Sequence, residues 1–155
     1  MTAKLIDWLP LSQVLPDLKA HNKKTVLEEL CGPVLAAHPD IDLSMLMGVL
    51  QEREKLGSTG IGDGVAIPHG KLVGLDDIVL VFGRSRAGVD FDALDGRPTH
   101  LFFMVLAPEA SVGIHLKALA RISRLLKSQV VRRELMTAGD ATQVMNIITA
   151  QEEGG

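Results

Sequence analysis

Gly57-Ser58-Thr59-Gly60-Ile61-Gly62-Asp63-Gly64 runs directly into Val65-Ala66-Ile67-Pro68-His69-Gly70-Lys71. Five of the 15 glycines fall between positions 57 and 70, a density that marks turns and close backbone approaches rather than a helix. The residues before this stretch are patterned as helix and those after it as strand. It therefore divides a helix pair from a sheet.

Upstream, Asn22 is a candidate N-cap, and Val26, Leu27, Leu30, Cys31, Val34 and Leu35 recur at the spacing of one helix face. Gly32-Pro33 cuts across that face, and a proline ring there clashes with the carbonyl of Glu29, so a kink or two short helices is expected. A second helix starts after Asp42, turns Leu43, Leu46, Met47 and Leu50 inward, and ends near Lys55. Downstream, the apolar runs at 78–82 and 101–107 read as strands. The second is apolar on both faces and belongs in the middle of a sheet. Asp90, Asp92, Asp95-Gly96 and Pro98 form the loop between them, and Gly83-Arg84-Ser85-Arg86-Ala87 reads as the end of the first strand. The last third holds three amphipathic faces: Ile114, Leu119, Ile122, Leu125 and Leu126; Val130, Val131, Leu135 and Met136; and Val144, Ile147 and Ile148. Asp140 with Gln143 resembles a capping box for the final helix, and residues 151–155 are expected to fray. Helices, then strands, then helices make an α/β sandwich with a mixed sheet.

A chain of 155 residues is expected to form one domain over 1–155. Its net charge of −3, with one Trp and no Tyr, lacks both the basic footprint and the stacking surfaces of a nucleic-acid binder. Cys31 is the single cysteine, which excludes an internal disulfide or a cysteine zinc cluster, and its apolar neighbours mark a buried thiol. Asp7 and Pro10 break the apolar character of the N-terminus, so no signal peptide is expected. The run at 101–107 is far short of the roughly 20 residues a membrane helix needs. A cytoplasmic location with no membrane insertion is the expectation.

Several familiar motifs fail. Five residues lie between Gly64 and Gly70, and Leu72 follows Lys71, so no phosphate-loop pattern is met. Gly60-x-Gly62-x-Gly64 follows a helix, not the strand that a dinucleotide fingerprint requires. Gly83-Arg84-Ser85-Arg86-Ala87 misses the nucleophile elbow at its last residue. No histidine pair has zincin spacing, and neither a metal nor a cofactor is expected.

Among the five histidines, His21 and His38 read as surface residues and His100 as structural. His69 differs, because glycines flank its approach, Pro68 pins its backbone and Gly70 removes a side chain immediately behind it. An imidazole so displayed beside a glycine-rich loop suits a nucleophile that accepts an anionic group. A plain strand end and turn accounts for the same residues. On the residues alone the two readings stand side by side.

Arg53-Glu54-Lys55-Leu56-Gly57-Ser58-Thr59-Gly60-Ile61-Gly62 together with Gly64 to Lys71 resembles the signature of the enzyme IIA proteins of the bacterial phosphotransferase system, closest to the nitrogen-regulatory type and related to the fructose and mannitol IIA domains. The resemblance extends from the helix after Asn22 to Ile148. It implies a three-layer α/β/α sandwich around a small mixed sheet. It also implies that His69 accepts a phosphoryl group at Nε2 from a phosphorylated HPr-like carrier, with His115 as the second active-site histidine and Arg53 near the phosphate. Ser58, Thr59, Gly60 and Gly62 are candidate elements of a phosphoryl-binding loop. The implied function is that of a phosphocarrier whose regulated client proteins depend on its phosphorylation state. A sugar-specific IIA that relays phosphate to a IIB domain is the alternative, and a binding module that never carries phosphate is a third reading. No IIB, IIC or HPr-like segment occurs in these 155 residues, which points to the regulator. Lys117, Arg121, Arg124, Lys127, Arg132 and Arg133 form a run with no acid among them. Such a run is usually a solvated helix face, and docking of an acidic partner is the sharper alternative.

Overall fold

The computed structural model describes residues 4–111 and 113–154. Two 3₁₀ turns, Leu5–Trp8 and Leu11–Gln13, precede the short strand β1 (Val14–Leu15). Helices α1 (Lys23–Ala37) and α2 (Leu43–Lys55) come next. The glycine-rich stretch supplies β2 (Gly60–Gly62), β3 (Val65–Ala66) and β4 (His69–Leu72). Two long strands, β5 (Val79–Val89) and β6 (Thr99–Pro108), lead to α3 (Gly113–Lys127), α4 (Gln129–Thr137) and α5 (Ala141–Gly154).

Period-two alternation along β6 builds the layers. Leu101, Phe103, Val105 and Ala107 join a core with the N-terminal turns and α3–α5, while Phe102, Met104 and Leu106 join a second core under α1 and α2. Each fully buried side chain of this kind contributes about 1.5–3 kcal/mol, so both helix layers are held by the same strand. The result is a three-layer α/β/α sandwich around a six-stranded mixed sheet of order β1-β5-β6-β3-β2, with β4 also on β6. Strand β6 runs antiparallel to β5 and parallel to β3 and β4. Val65 pairs with Leu101 and His69 with Val105 in one unbroken register, so β3 and β4 form a single line interrupted where Pro68 has no N–H to donate.

Helix α1 opens at Asn22, whose side chain accepts from Thr25 N, and α2 opens at Asp42, which accepts from Met45 N. The expected kink or break at Gly32-Pro33 gives way to one helix from Lys23 to Ala37. Val26, Leu27, Leu30, Cys31 and Val34 are all buried from it, and five such anchors outweigh the roughly 3 kcal/mol that an interior proline costs. Burial also pushes the Cys31 thiol up to about 12, which leaves it inert.

Two further expectations are corrected. Residues 83–87 are not a strand end, because β5 continues to Val89. The reason is Arg84, a wholly buried residue. Its guanidinium donates to Pro16 O at 2.9 Å and to Leu135 O at 2.9 Å, and also to the carbonyls of Met136 and Ala138 at the end of α4. A cation at a helix C-terminus is well placed, and the carbonyls replace the hydration of Nε and Nη1, while Nη2 has no hydrogen bond among the described residues and lies 3.8 Å from Asp17 Oδ1. The tail does not fray at 151–154, where α5 remains helical; Gly155 lies outside the described residues. Glu152 anchors it by accepting from Leu5 N at 2.8 Å and Ile6 N at 3.4 Å.

Candidate functional site

His69 opens β4, and the alternation of that line decides what it meets. Val65 and Ile67 belong to the core under α3–α5, whereas Ala66 and Leu72 belong to the core under α1 and α2. His69 shares the parity of Val65 and Ile67, which turns it toward α3. There His115 in the first turn of α3 lies with its ring centroid 5.5 Å from that of His69. Gly70, on the opposite parity, faces α2 so closely that an added Cβ would sit 2.5 Å from Val49 Cγ1. Val49 and Arg53 are one helical turn apart on α2, so this close packing carries Arg53 to the imidazole.

Hydrogen bonds define the state of His69. Its Nδ1 is 2.9 Å from Ile67 O, so Nδ1 carries the proton and donates it to that carbonyl. Nε2 then holds a lone pair, and Arg53 Nε donates to it at 3.1 Å. Burial pushes the His69 pKa below the ordinary histidine value; the Ile67 carbonyl opposes this, Arg53 reinforces it, and Glu54 opposes it. His115 is also lowered, by burial first and then by His69 and Lys71. Both rings are thus biased toward the neutral form. Nδ1 of His115 is buried with no hydrogen-bond partner among the described residues.

The glycine-rich loop supports this arrangement from beneath. Gly57 has φ +142°, a conformation open to glycine, and its carbonyl accepts from Arg53 Nη1 at 2.9 Å. Glu54 is almost buried and accepts from Thr59 N at 3.0 Å, from the Thr59 hydroxyl, and from Lys23 Nζ at 2.9 Å. Thr59 O in turn accepts from Ile67 N at 3.0 Å. A continuous chain of contacts thus runs Lys23, Glu54, Thr59, Ile67, His69. Ser58 Oγ donates to Phe91 O at 2.8 Å and accepts from Gly60 N at 3.0 Å, and Gly62 pairs with Val65 in the turn.

Arg53, His69 and His115 are therefore brought together. Of the loop positions named from the sequence, the amides of Thr59 and Gly60 are already bonded within the protein, which makes this segment a brace in the resting site. Sequence reasoning assigned no role to Glu54. Its signal was an acid in the last turn of a helix, where the macrodipole favours a cation and an acid needs another reason to stay. His100, read as structural, has its Nδ1 2.9 Å from Ser85 O. Among the described residues no group of three or more His, Cys, Asp or Glu is placed to hold a metal, and no helix is long and apolar enough to cross a membrane.

A family model described as "Phosphoenolpyruvate-dependent sugar phosphotransferase system, EIIA 2" matches residues 8–151. The chain belongs to this EIIA family. Among curated relatives, the nitrogen regulatory protein of Bradyrhizobium diazoefficiens is 40% identical over 144 residues, covering 93% of this chain and 94% of that protein. The nitrogen regulatory protein of Pseudomonas aeruginosa is 39% identical over 140 residues, covering 90% and 91%. The fructose-specific EIIABC component of Bacillus subtilis is 33% identical over 150 residues, and the match spans 97% of this EIIA chain but 24% of that protein. In three dimensions, the crystal structure of nitrogen regulatory protein IIA-Ntr from Neisseria meningitidis superposes with a TM-score of 0.86 at 37% identity, covering 92% of this chain and 97% of that one. IIA mannitol from Escherichia coli shares the fold, with a TM-score of 0.71 at 19% identity and coverage of 90% and 97%.

Proposed function

We propose that this EIIA chain is a phosphocarrier of the nitrogen-regulatory type, loaded at His69 by a phosphorylated HPr-like protein, with an output that depends on its phosphorylation state. The observation that carries this reading is the tautomer of His69: Ile67 holds the proton on Nδ1 and leaves Nε2 as the nucleophile. In the transfer the P–N bond of the donor breaks and its electron pair stays on the donor imidazole. A new P–N bond forms from the Nε2 lone pair, and the Nδ1 proton stays shared with Ile67 O. Arg53 swings from Nε2 to the phosphoryl oxygens, where a planar fork suits charge spread over several acceptors. His115 adds a second imidazole to the same group. The loop of Ser58, Thr59, Gly60 and Gly62 shapes the cradle.

Exposed apolar side chains rim the elements that carry the site: Leu56 after α2 at 85%, Ile61 in β2 at 49% and Leu116 beside His115 at 61%. Such a rim favours a protein donor over a small phosphate ester. The near end-to-end match to two nitrogen regulatory proteins favours the regulatory output. The fructose-specific relatives keep a sugar relay as the second reading. Intact mass after incubation with the general phosphotransfer proteins and phosphoenolpyruvate tests the first step: wild type gains one phosphoryl group, labile in acid and stable in base, and His69→Ala gains none. Wild-type loading of His69→Ala would overturn the assignment. Pull-downs with His69→Ala and with phosphorylated wild type recover different partners from a regulator, whereas a sugar relay shows one IIB client.

A further inference from the structure

We propose that the outer face of α3 is a docking surface for an acidic protein segment. This surface stands independently of the phosphocarrier reading. Residues 110–133 contain six of the 16 lysines and arginines and none of the 19 acids, which leaves ten basic and 19 acidic side chains for the rest of the chain. Four of the six, Lys117, Arg121, Arg124 and Lys127, lie on α3, which holds no acid, so the acidic balance of the whole molecule is reversed on that helix.

Geometry gathers those charges into a stripe. His115, Ala118, Ile122 and Leu126 turn inward, which leaves Lys117, Arg124 and Lys127 on the opposite, exposed side. These three form no ion pair among the described residues. Arg121, on the edge of the stripe, lies 3.9 Å from Glu152. A solvated helix normally alternates signs at i, i+3 and i+4, because like charges at those spacings repel. Here Lys117, Arg121, Arg124 and Lys127 stand in sequence at those spacings with no acid interposed. The last turn gains from the macrodipole, but Lys117 lies in the N-terminal half, where the macrodipole gives a cation nothing.

The stripe begins two residues from His115 and runs roughly 15 Å to the end of α3. Near its far end is a notch of about 400 Å³ lined by Leu5, Leu125, Arg121 and Arg124 and also by Glu152, so the ligand's carboxylates are expected along the exposed stripe and not in the notch. Nucleic acid is the poorer fit, because the rest of the surface is acidic and no aromatic lies on α3.

The test uses full-length protein and a synthetic Glu-rich helical peptide, with a Gln-for-Glu peptide as control, followed by backbone amide shifts and titration. The expected result is that shifts concentrate on α3 and that Lys117→Glu/Arg124→Glu weakens binding about tenfold or more. The neutral Lys117→Gln/Arg124→Gln is expected to lie between, and unchanged far-UV circular dichroism and melting exclude misfolding as the cause. Shifts centred on Lys23 and Lys24 of α1, or equal binding by the charge-reversed variant, would overturn the proposal. So would tighter binding of an RNA or DNA duplex at the same face, or a wild-type dimer that the charge reversal disperses. Phosphoryl uptake is read separately by intact mass, so failure of the phosphocarrier reading is distinguishable from failure of the docking surface.

Discussion

Arg53 Nε donates to His69 Nε2 at 3.1 Å, so the guanidinium covers the lone pair that the proposed function makes the nucleophile. The contact keeps the imidazole neutral and oriented, and under the proposed function it opens before a phosphoryl group is accepted. The same residue then has a new anion to bind. Its two roles are successive, and they separate in kinetics.

Arg53→Ala should slow loading about 10²-fold, the scale of one lost donor to developing charge. Stability should change by no more than about 1 kcal/mol, since the arginine is partly exposed. Arg53→Lys keeps the charge without the fork and should load at an intermediate rate. A mass time course and urea unfolding check both. Unchanged loading in Arg53→Ala would reduce it to a helix-end residue.

Glu54→Gln should lose about 1–3 kcal/mol, because the Lys23 ammonium then faces a neutral amide in a nearly buried place. Thr59→Val should lose part of the same amount, and the double variant should be less than additive. Urea midpoints for the cycle decide this. Full additivity would mean that the two residues do not act as one brace.

Acid should weaken the fold through the two imidazoles. Their folded pKa values lie below the ordinary 6.5, so the unfolded chain binds protons first as the pH falls. Stability is therefore lost as pH drops below 6.5 and levels off below the folded values. His69→Gln and His115→Gln should each flatten the urea midpoint against pH in that window. Loading should fall over the same range as Nε2 loses its lone pair. A wild-type midpoint that rises on acidification would contradict the sign.

Gly70→Ala should destabilise by about 1–3 kcal/mol, the usual cost of overpacking. The new methyl meets Val49 Cγ1, and a β-branched side chain has few rotamers with which to withdraw. Val49→Ala in the same chain should recover part of the loss. Thermal melts of the four proteins measure the coupling, and equal losses with and without Val49 would show that the helix does not press there.

Local features were legible in residue order because their physics is local. The caps at Asn22 and Asp42 and most of the inward helix faces arise from contacts three or four residues apart, although Leu43, Ile114 and Val130, expected on those faces, are exposed because each sits in the first turn or two of its helix beyond the reach of the core. The central place of β6 comes from apolar side chains on both parities. Asp140 accepts from Gln143 N at 2.9 Å, as the capping pattern indicated, but Gln143 Oε1 reaches back to Gly139 N instead of Asp140 N. The resemblance carried by the residues from Arg53 to Lys71 named the histidines and the arginine that the fold then assembled.

What the order of residues determined by itself is the five helices, the two long strands, most of their buried faces and the motif that carries His69; the short strands β1 to β4 and the 3₁₀ turns came only with the fold. Tertiary structure alone decided that His69 and His115 meet, that Arg53 rests on the Nε2 lone pair, and that Glu54 braces the loop through Thr59 and Lys23. It also decided that Pro33 stays inside a helix and that Arg84, charged and mid-strand, is buried against carbonyls from residues 16 and 135–138. The reason is range. Helix spacing and strand alternation are set within one turn or one pleat, whereas these outcomes depend on a register that pairs position 69 with 105 and on helices packed from opposite faces of one sheet.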